Sequence, residues 1–216
     1  MPGFARIAAC RYTEGSEGPL MISAILLAAG MSTRMGQPKA LLDWGGEPLI
    51  TYHVRQLREA GAGEVITVLG HRADEIHRQL RRAECRVMLN ARYQMGRAGS
   101  LAIGAKAVDR DTQAIIVVGV DQPRPASFIR ALIAAHKPES AATRPLAEGH
   151  HGHPVIVAGR LRDELMAASE AEHGLQGILL RHADELAEYE ADSICHLDLN
   201  TPEDYAAALA RFGLAA

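Results

Sequence analysis

The chain has 216 residues, of which 48% are hydrophobic and 23% are charged, and its formal net charge is −3 at pH 7. This is the composition of an ordinary globular protein that can bury a sizeable core. The slightly acidic balance gives no support for a nucleic-acid partner or an anionic membrane surface, since both usually require a basic patch. No apolar run approaches the ~20 residues that a membrane-spanning helix needs, so we expect no membrane partner.

The cysteines and the first residues indicate the compartment and the domain limits. Cys10, Cys85 and Cys195 are far apart and form no CxxC pair, which is typical of reduced thiols in a cytoplasmic protein. Residues 1–20 lack the basic start and apolar core of a secretory signal, and they end in the loop-like stretch TEGSEGP. We therefore expect a flexible extension over 1–20 that contributes no chemistry, followed by a single domain over 21–216.

Short apolar runs alternate along the chain with segments of helical periodicity. In chain order we predict strands over 23–29, 64–70, 85–90, 114–121, 154–159 and 195–199, and helices over 48–61, 73–83, 100–108, 127–136, 160–169 and 201–213. Strands that alternate with helices predict βαβ units. The expected fold is therefore α/β: three α/β/α layers, Rossmann-like, around a mainly parallel sheet. Ligands of such sheets bind beyond the carboxyl ends of the strands, which singles out the loops 28–39, 70–74 and 119–124.

The loop after the first strand concentrates small residues and cations. Ala28, Ala29 and Gly30 keep bulky side chains away from the strand end, so that backbone N–H groups can close on a phosphate. Arg34 offers a bidentate fork and Lys39 a mobile point charge for phosphate oxygens. The loop matches neither the GxxxxGK(S/T) nor the GxGxxG motif, and each residue alone would also suit a solvated loop. Together they predict a phosphate-binding loop.

Acidic and amide side chains follow two other predicted strands. Asp121 ends the most hydrophobic strand, where a carboxylate can hold Mg²⁺ beside substrate phosphates. The alternative is a turn-forming Asp before proline. Further along, Thr201 and Pro202 read as a helix cap and first helical residue, but capping explains neither Asp198 nor Asn200. We favour Asn200 over Asp198 as a second metal contact.

The phosphate loop carries a family resemblance. Its pattern Leu27-Ala28-Ala29-Gly30-x-Ser32-x-Arg34-Met35-Gly36-x-x-Lys39 resembles the signature of MobA-like nucleotidyltransferases, and most closely that of molybdenum cofactor cytidylyltransferases. The resemblance extends over about residues 23–209 and implies the nucleotidyltransferase fold. It also implies that these loop residues bind the nucleotide and that Asp121 occupies the family's metal-binding position. Cytidylyltransferases of isoprenoid synthesis and sugar-nucleotide enzymes carry near variants, so the acceptor stays open.

Two further segments match the family's nucleotide pocket. Asn90 and Ser100 resemble the positions that line this pocket, while Gly70 would let backbone groups approach a base. Guanylyl-transferring relatives usually have a second glycine where this chain has Ala29, which favours CTP over GTP. These four residues therefore complete the predicted nucleotide site.

The acceptor half departs in part from the pattern. Gly152, His153 and Pro154 resemble a Gly-His-Pro element near the family's acceptor site. The neighbouring histidines of EGHHGHP keep a zinc site open, although their adjacent spacing disfavours it. Residues 173–178 keep the glycines of a Gly-Asp-x-Gly-Ala-Arg element but lack its acidic and basic side chains, which puts a pterin acceptor in doubt.

These observations predict Mg²⁺-dependent transfer of CMP from CTP, or of GMP from GTP, to a phosphorylated small molecule, with molybdopterin as the leading acceptor. Arg34 and Lys39 would stabilise the released pyrophosphate, while Asp121 and Asn200 would hold the metal. A molybdenum hydroxylase apoenzyme is a possible recipient of the product. The alternatives are a sugar phosphate or methylerythritol phosphate acceptor, and a non-catalytic carrier of a nucleotide or pterin.

Overall fold

The computed structural model describes residues 21–214. The extension predicted over residues 1–20 lies outside the described residues, as do residues 215–216, and the single domain over 21–216 stays a prediction. The strands are β1 Ile22–Ala28, β2 Glu64–Leu69, β3 Arg86–Leu89, β4 Ala114–Gly119, β5 Ala142–Ala147, β6 His150–His151, β7 Val155–Ala158 and β8 Leu186–Glu190. The helices are α1 Leu49–Ala60, α2 Ala73–Gln79, α3 Arg97–Ala107, α4 Ala126–Ala135, α5 Arg162–Met166, α6 Gly174–Arg181 and α7 Pro202–Arg211.

The strands in this range form one sheet with the order β3-β2-β1-β4-β7-β5-β6, and β8 pairs with β5. Strand β1 runs parallel to β2 and β4, and β2 runs parallel to β3. Strand β7 is antiparallel to its neighbours β4 and β5. This arrangement confirms the predicted α/β class with a mainly parallel sheet. No helix within residues 21–214 is long and apolar enough to cross a membrane.

Helices cover the sheet on both faces, which confirms the three layers. Successive side chains of a strand point to opposite faces, and β4 shows the result clearly. Ile116 and Val118 pack with α1, α4 and α7, while Ile115 and Val117 pack with α3, α5 and α6. Every residue of β1 and β4 is buried, as expected for parallel strands that are covered on both sides.

The end of α1 and the start of α7 follow the sequence signals, whereas α2 and α5 end earlier than predicted and α3 begins earlier. Gly61 takes a φ of 113° after α1, a conformation that favours glycine and ends the helix. At α7, the Thr201 side chain accepts a hydrogen bond from the Asp204 N–H, and the Asp204 carboxylate accepts one from the Thr201 N–H. This reciprocal cap confirms the reading of Thr201 as a cap and fixes the chain just after Asn200.

The prediction of a strand over 195–199 was wrong. Residues 193–196 form a 3₁₀ turn whose Cys195 is buried, and the last strand is β8, over Leu186–Glu190. Strand β8 carries two glutamates in five residues and is only partly buried, so its sequence gives a weak strand signal. Strand β5, which contains Arg144 and Pro145, and helix α6 were also not predicted.

Gly104 provides a test of the packing between α3 and the sheet. A Cβ added here would lie 2.5 Å from Ile25 Cγ2 and 3.2 Å from Val68 Cγ2. We expect Gly104→Ala to lower the free energy of unfolding by about 1–3 kcal/mol through overpacking. A Cβ added at Gly99 on the same helix would make only an ordinary contact, 3.8 Å from Asn90 Nδ2, and Gly99→Ala should raise stability by about 0.5–1 kcal/mol. Urea unfolding of both variants checks this pair, and equal effects of the two changes would contradict it.

Candidate active site

The carboxyl ends of β1, β2 and β4 meet at one edge of the sheet, because these strands are parallel neighbours. A cleft of about 270 Å³ opens there. It is lined by residues from the loops after β1 and β4, from α2, and from the start of α3: Leu27, Ala28, Ala29, Gly30, Ser32, Pro38, Lys39, Ala40, Ile76, Tyr93, Gly96, Arg97, Ser100, Gly119, Val120 and Asp121. Loops 28–39 and 119–124 thus share a cleft, as the sequence analysis expected.

The loop after β1 is folded back on itself by short-range hydrogen bonds. Ser32 has a φ of 54°, and its Oγ accepts a hydrogen bond from the Lys39 N–H at 3.1 Å. Gly36 takes a φ of 68° between them, which glycine adopts without strain. The fold of this loop brings Lys39 to the wall of the cleft while keeping Ala28 to Gly30 as its floor.

Lys39 joins three segments that lie far apart in the sequence. Its Nζ donates to Asp121 Oδ2 at 3.1 Å and to Asn200 Oδ1 at 3.1 Å. Arg34 approaches the same oxygen of Asn200, with its Nη2 at 3.4 Å. The predicted phosphate-binding cations and the predicted metal-binding oxygens are therefore in direct contact.

Asp121 is an anion at neutral pH. Burial alone would raise the pKa of its carboxyl group, but the positive charges of Lys39 and Arg97 outweigh this effect and hold the pKa below its usual range. The carboxylate is only partly exposed, with 28% of its side chain accessible. It is thus charged, reachable from the cleft and set among cations.

Asp198 lies beside Asp121 and is also half-buried. Burial raises the pKa of Asp198, and the negative charge of Asp121 adds to the rise. Its Oδ1 is buried and has no hydrogen-bond partner among the described residues. The backbone joins the two carboxylates, because the Leu199 N–H donates to the Asp121 carbonyl at 2.8 Å. An unsatisfied buried carboxylate oxygen is the kind of group that a cation would complete.

The oxygen donors fit a divalent cation that is shared with a substrate. Asp121, Asp198 and Asn200 supply the hard oxygens that Mg²⁺ prefers, and Mg²⁺ usually takes its remaining ligands from water and phosphates. Within residues 21–214 there is no group of three or more His, Cys, Asp or Glu side chains that could hold a metal alone. His150, His151 and His153 form no such group, so the zinc alternative gains no support.

The residues expected around the base are only partly at the cleft. Ser100 lines it, and Asn90 lies behind, where its Nδ2 donates to Ser100 Oγ at 2.9 Å. Gly70 differs from the expectation. A Cβ here would lie 2.6 Å from Tyr93 Cβ and 2.8 Å from the Ala29 carbonyl. The space beside Gly70 is thus taken by Tyr93, and it is Tyr93 that lines the cleft.

The acceptor segment lies next to the cleft but mostly faces inward. Gly152 and Pro154 are buried, and the Gly152 Cα packs so closely on the Cys195 carbonyl that no side chain would fit. His153 is half-buried, with an Nδ1 that finds no hydrogen-bond partner among the described residues. Burial, followed by the charges of Arg97 and Arg124, lowers the pKa of His153 to about 4. Of these three residues, only His153 has a polar side-chain atom without a partner among the described residues, and that atom is buried.

Arg124 was not predicted from the sequence, yet it holds the acidic side of the cleft together. Its side chain is fully buried, and it donates to four backbone carbonyls at 2.7–3.0 Å: those of Pro123, His153, Cys195 and Leu197. Burial lowers the pKa of Arg124 to about 10, so it stays charged at neutral pH. A lone arginine after Gln-Pro gives no sequence signal for such a role, because arginine is normally a surface residue.

Replacing Arg124 should loosen this part of the protein. Arg124→Met keeps much of the volume but removes a hydrogen bond from four carbonyls, of which only that of Cys195 keeps a backbone donor among the described residues, the His153 N–H. We therefore expect a loss of about 3 kcal/mol or more in the free energy of unfolding. Arg130→Met is the matched control, because Arg130 is exposed and donates to a single carbonyl, that of Glu59. Urea unfolding measures both variants. A loss below about 1 kcal/mol for Arg124→Met, within the range of surface changes, would contradict the role.

His53 also contacts the turn after β4 that contains Asp121. It is buried, and its Nε2 donates to the Val120 carbonyl at 2.9 Å. Burial lowers the pKa of His53 from 6.5 to about 4, although the hydrogen bond to Val120 opposes the change. The ring is therefore neutral in the folded protein at physiological pH.

This depressed pKa predicts a pH dependence of stability. Between pH 6.5 and about 4 the unfolded chain binds a proton at this ring that the folded protein does not bind, so acidification favours unfolding. We expect His53 to contribute a loss of roughly 1 kcal/mol per pH unit in this window. His53→Gln should remove that slope, whereas the exposed His77→Gln should keep it. Urea unfolding at a series of pH values gives the slopes, and parallel curves for wild type and His53→Gln would contradict the prediction.

The fold and the cleft together are those of an enzyme of the nucleotidyltransferase class. Residues 24–186 match the MobA-like NTP transferase domain. Because this match covers most of the chain, the chain belongs to the MobA-like NTP transferase family, as the phosphate-loop pattern indicated.

Named relatives fall into several branches of this class. The chain is 26% identical over 192 residues to the molybdenum cofactor cytidylyltransferase of Escherichia coli, covering 88% of this chain and 97% of that one. It is 31% identical over 145 residues to the bifunctional protein GlmU of Geobacter metallireducens, covering 64% of this chain but only 30% of GlmU. It is 38% identical over 102 residues to a molybdenum cofactor guanylyltransferase of Xanthomonas euvesicatoria, covering 47% of each protein. The chain therefore spans less than a third of the length of the GlmU proteins it matches.

Solved structures agree with the fold. Rv0371c from Mycobacterium tuberculosis H37Rv superposes with a TM-score of 0.77 at 25% identity, covering 88% of this chain and 98% of that one. A manganese complex of Rv0371c superposes with a TM-score of 0.72 at 24% identity, with the same coverage. These likenesses support the three-layer architecture that the strand order shows.

Proposed function

We propose that the protein is a Mg²⁺-dependent nucleotidyltransferase that transfers CMP from CTP to a phosphorylated acceptor, with molybdopterin as the leading candidate. The observation that carries this proposal is the contact of Lys39 with both Asp121 and Asn200 at the edge of the sheet. Phosphate-binding and metal-binding groups at one point are what a nucleoside triphosphate requires.

The nucleotide would bind along the loop after β1. The floor of the cleft, Leu27 to Gly30, presents backbone groups to the phosphates, and Ser32 braces the loop. Arg34 and Lys39 would neutralise the β- and γ-phosphates. Ser100 faces the base side of the cleft with Asn90 behind it, while Gly70 shapes that side by admitting Tyr93. Ala29 supports CTP over GTP, by the resemblance to guanylyl-transferring relatives.

Asp121 and Asn200 would hold Mg²⁺, with Asp198 as a further oxygen donor. The metal would supply charge neutralisation at the phosphate oxygens. The residues present fit that role, because Asp121 is ionised and Asp198 has an unsatisfied buried oxygen. The manganese complex of Rv0371c supports a divalent metal in proteins of this fold.

The chemical step requires alignment more than acid–base catalysis. An oxygen of the acceptor phosphate attacks the α-phosphorus in line and forms a new P–O bond. The bond from the α-phosphorus to the bridging oxygen breaks, and its electron pair leaves with pyrophosphate. The attacking oxygen is already anionic, so no protein base has to remove a proton. Lys39 and Arg34 hold the charge that moves onto the leaving pyrophosphate.

The acceptor would enter beside residues 152–154, where His153 has a buried ring nitrogen without a partner among the described residues. A molybdopterin product would pass to a molybdenum hydroxylase apoenzyme in the cytoplasm. A second candidate acceptor is a sugar phosphate, and the similarity to GlmU favours it. Methylerythritol phosphate is a third candidate acceptor. These acceptors share a phosphomonoester, so the chemistry of the step is unchanged.

Purified protein with Mg²⁺ provides the test. We expect CTP to give the largest thermal shift among the common nucleoside triphosphates, and molybdopterin to give the fastest pyrophosphate release among the three acceptor classes. Binding of CTP without pyrophosphate release from any acceptor would instead support a non-catalytic carrier.

Asp121 and Lys39 provide the matched mutational test. Asp121→Asn and Lys39→Met should each lower kcat/KM for pyrophosphate release by about 100-fold or more, because each removes a charge that faces the reacting phosphates. Asp184→Asn changes an exposed carboxylate away from the cleft and should have no effect. Full activity of Asp121→Asn would refute the metal-binding role.

A further inference from the structure

Arg97 is the cation of the cleft to which the proposed reaction assigns no role. It is the first residue of α3 and lines the cleft. Its guanidinium lies over the end of β4, since a Cβ added at Gly119 would lie 3.0 Å from Arg97 Nη2. The same added atom would overlap Asp121 Oδ1. The absence of a side chain at Gly119 therefore allows Arg97 and Asp121 to converge on one point.

The guanidinium of Arg97 has no directly bonded partner within the described residues. Within residues 21–214 it makes no hydrogen bond or salt bridge, whereas Lys39 and Arg34 both contact Asn200. Its charge nevertheless acts on both sides of the cleft, since it lowers the pKa of Asp121 and of His153. A cation in the first turn of a helix also opposes the helix dipole. An unpaired guanidinium in this position is therefore available to an anionic ligand.

The backbone that carries Arg97 is fixed from the other side. Glu170 Oε1 accepts a hydrogen bond from the Ala98 N–H at 2.5 Å. Gly96 has a φ of 121° and packs on the same carboxylate so closely that a Cβ would overlap it. Glu170 thus occupies the amide end of α3, and the side chain of Arg97 is the anion-binding group that remains there.

We propose that Arg97 binds the phosphate of the acceptor and thereby selects phosphomonoesters over uncharged alcohols. This inference rests on the proposed nucleotidyl transfer. Arg34 and Lys39 meet at Asn200, on the side of the cleft where the triphosphate would lie. Arg97 lies instead over Gly119, beside Asp121. Two nitrogens of the guanidinium can hold two oxygens of a phosphomonoester, which leaves the third free to attack the α-phosphorus.

The test separates acceptor binding from nucleotide binding. Protein is saturated with Mg²⁺ and α,β-methylene-CTP, which cannot release pyrophosphate, and inorganic phosphate is titrated in as the probe by calorimetry. We expect Arg97→Met to weaken phosphate binding by about tenfold or more, while affinity for the nucleotide analogue changes less than about twofold. Arg97→Lys keeps the charge but loses the fork, and should fall between the two. The control is Arg92→Met, because Arg92 is exposed on the preceding loop.

Steady-state kinetics supply a second readout. With molybdopterin as acceptor, Arg97→Met should raise the KM for the acceptor by about tenfold or more and leave the KM for CTP nearly unchanged. Equal phosphate binding in wild type and Arg97→Met, or no phosphate binding by the nucleotide-loaded wild type, would overturn the inference. Loss of nucleotide binding in the variant would assign Arg97 to the triphosphate instead. A wild-type protein that binds no nucleotide would refute the proposed function, and the role of Arg97 with it.

Discussion

The buried guanidinium of Arg124 is the constraint on which the acidic half of the cleft depends. Its four carbonyl contacts join the turn after β4, the segment before β7 and the 3₁₀ turn before α7. None of these segments belongs to the sheet at the point of contact, and two backbone hydrogen bonds also connect them, from Leu199 to Asp121 and from His153 to Cys195. An unpaired buried charge is costly, and hydrogen bonds to several carbonyls are what make it tolerable. Together with these backbone hydrogen bonds, the Arg124 side chain holds Asp121, Asp198 and His153 near one another.

Two cations at the cleft, Arg34 and Arg97, make no salt bridge with a carboxylate within residues 21–214. Lys39 is paired with Asp121, but Arg34 reaches only an amide oxygen and Arg97 reaches no partner within residues 21–214. The rest of the described surface carries many exposed ion pairs, such as Arg58 with Glu84, which contribute little to stability. Unpaired cations concentrated at one strand edge therefore indicate a polyanionic ligand. A nucleoside triphosphate and a phosphomonoester together would supply that charge.

The sequence predicted the parts of the fold that rest on local patterns. The buried strands β1, β2 and β4 and the helices α1 and α7 follow from apolar runs, periodicity and caps. The meeting of loops 28–39 and 119–124 followed from parallel pairing alone. Strand β8 was missed because an edge strand with polar residues has no distinctive pattern. Arg124, Arg97 and Glu170 were missed for another reason: each acts on a residue more than 20 positions away, and a single sequence does not record such contacts.

Residues 173–178, which depart from the family pattern, lie next to the start of α3 in the structure. This segment lacks the acidic and basic side chains that the resemblance led us to expect, which seemed to weaken the acceptor side. Gly174 packs on Ala98, however, with 3.3 Å between the Ala98 Cβ and a Cβ added at Gly174. The segment therefore adjoins the start of α3, where Glu170 and Arg97 provide one acidic and one basic side chain. One acidic and one basic side chain therefore lie beside this segment, although they come from other positions in the chain.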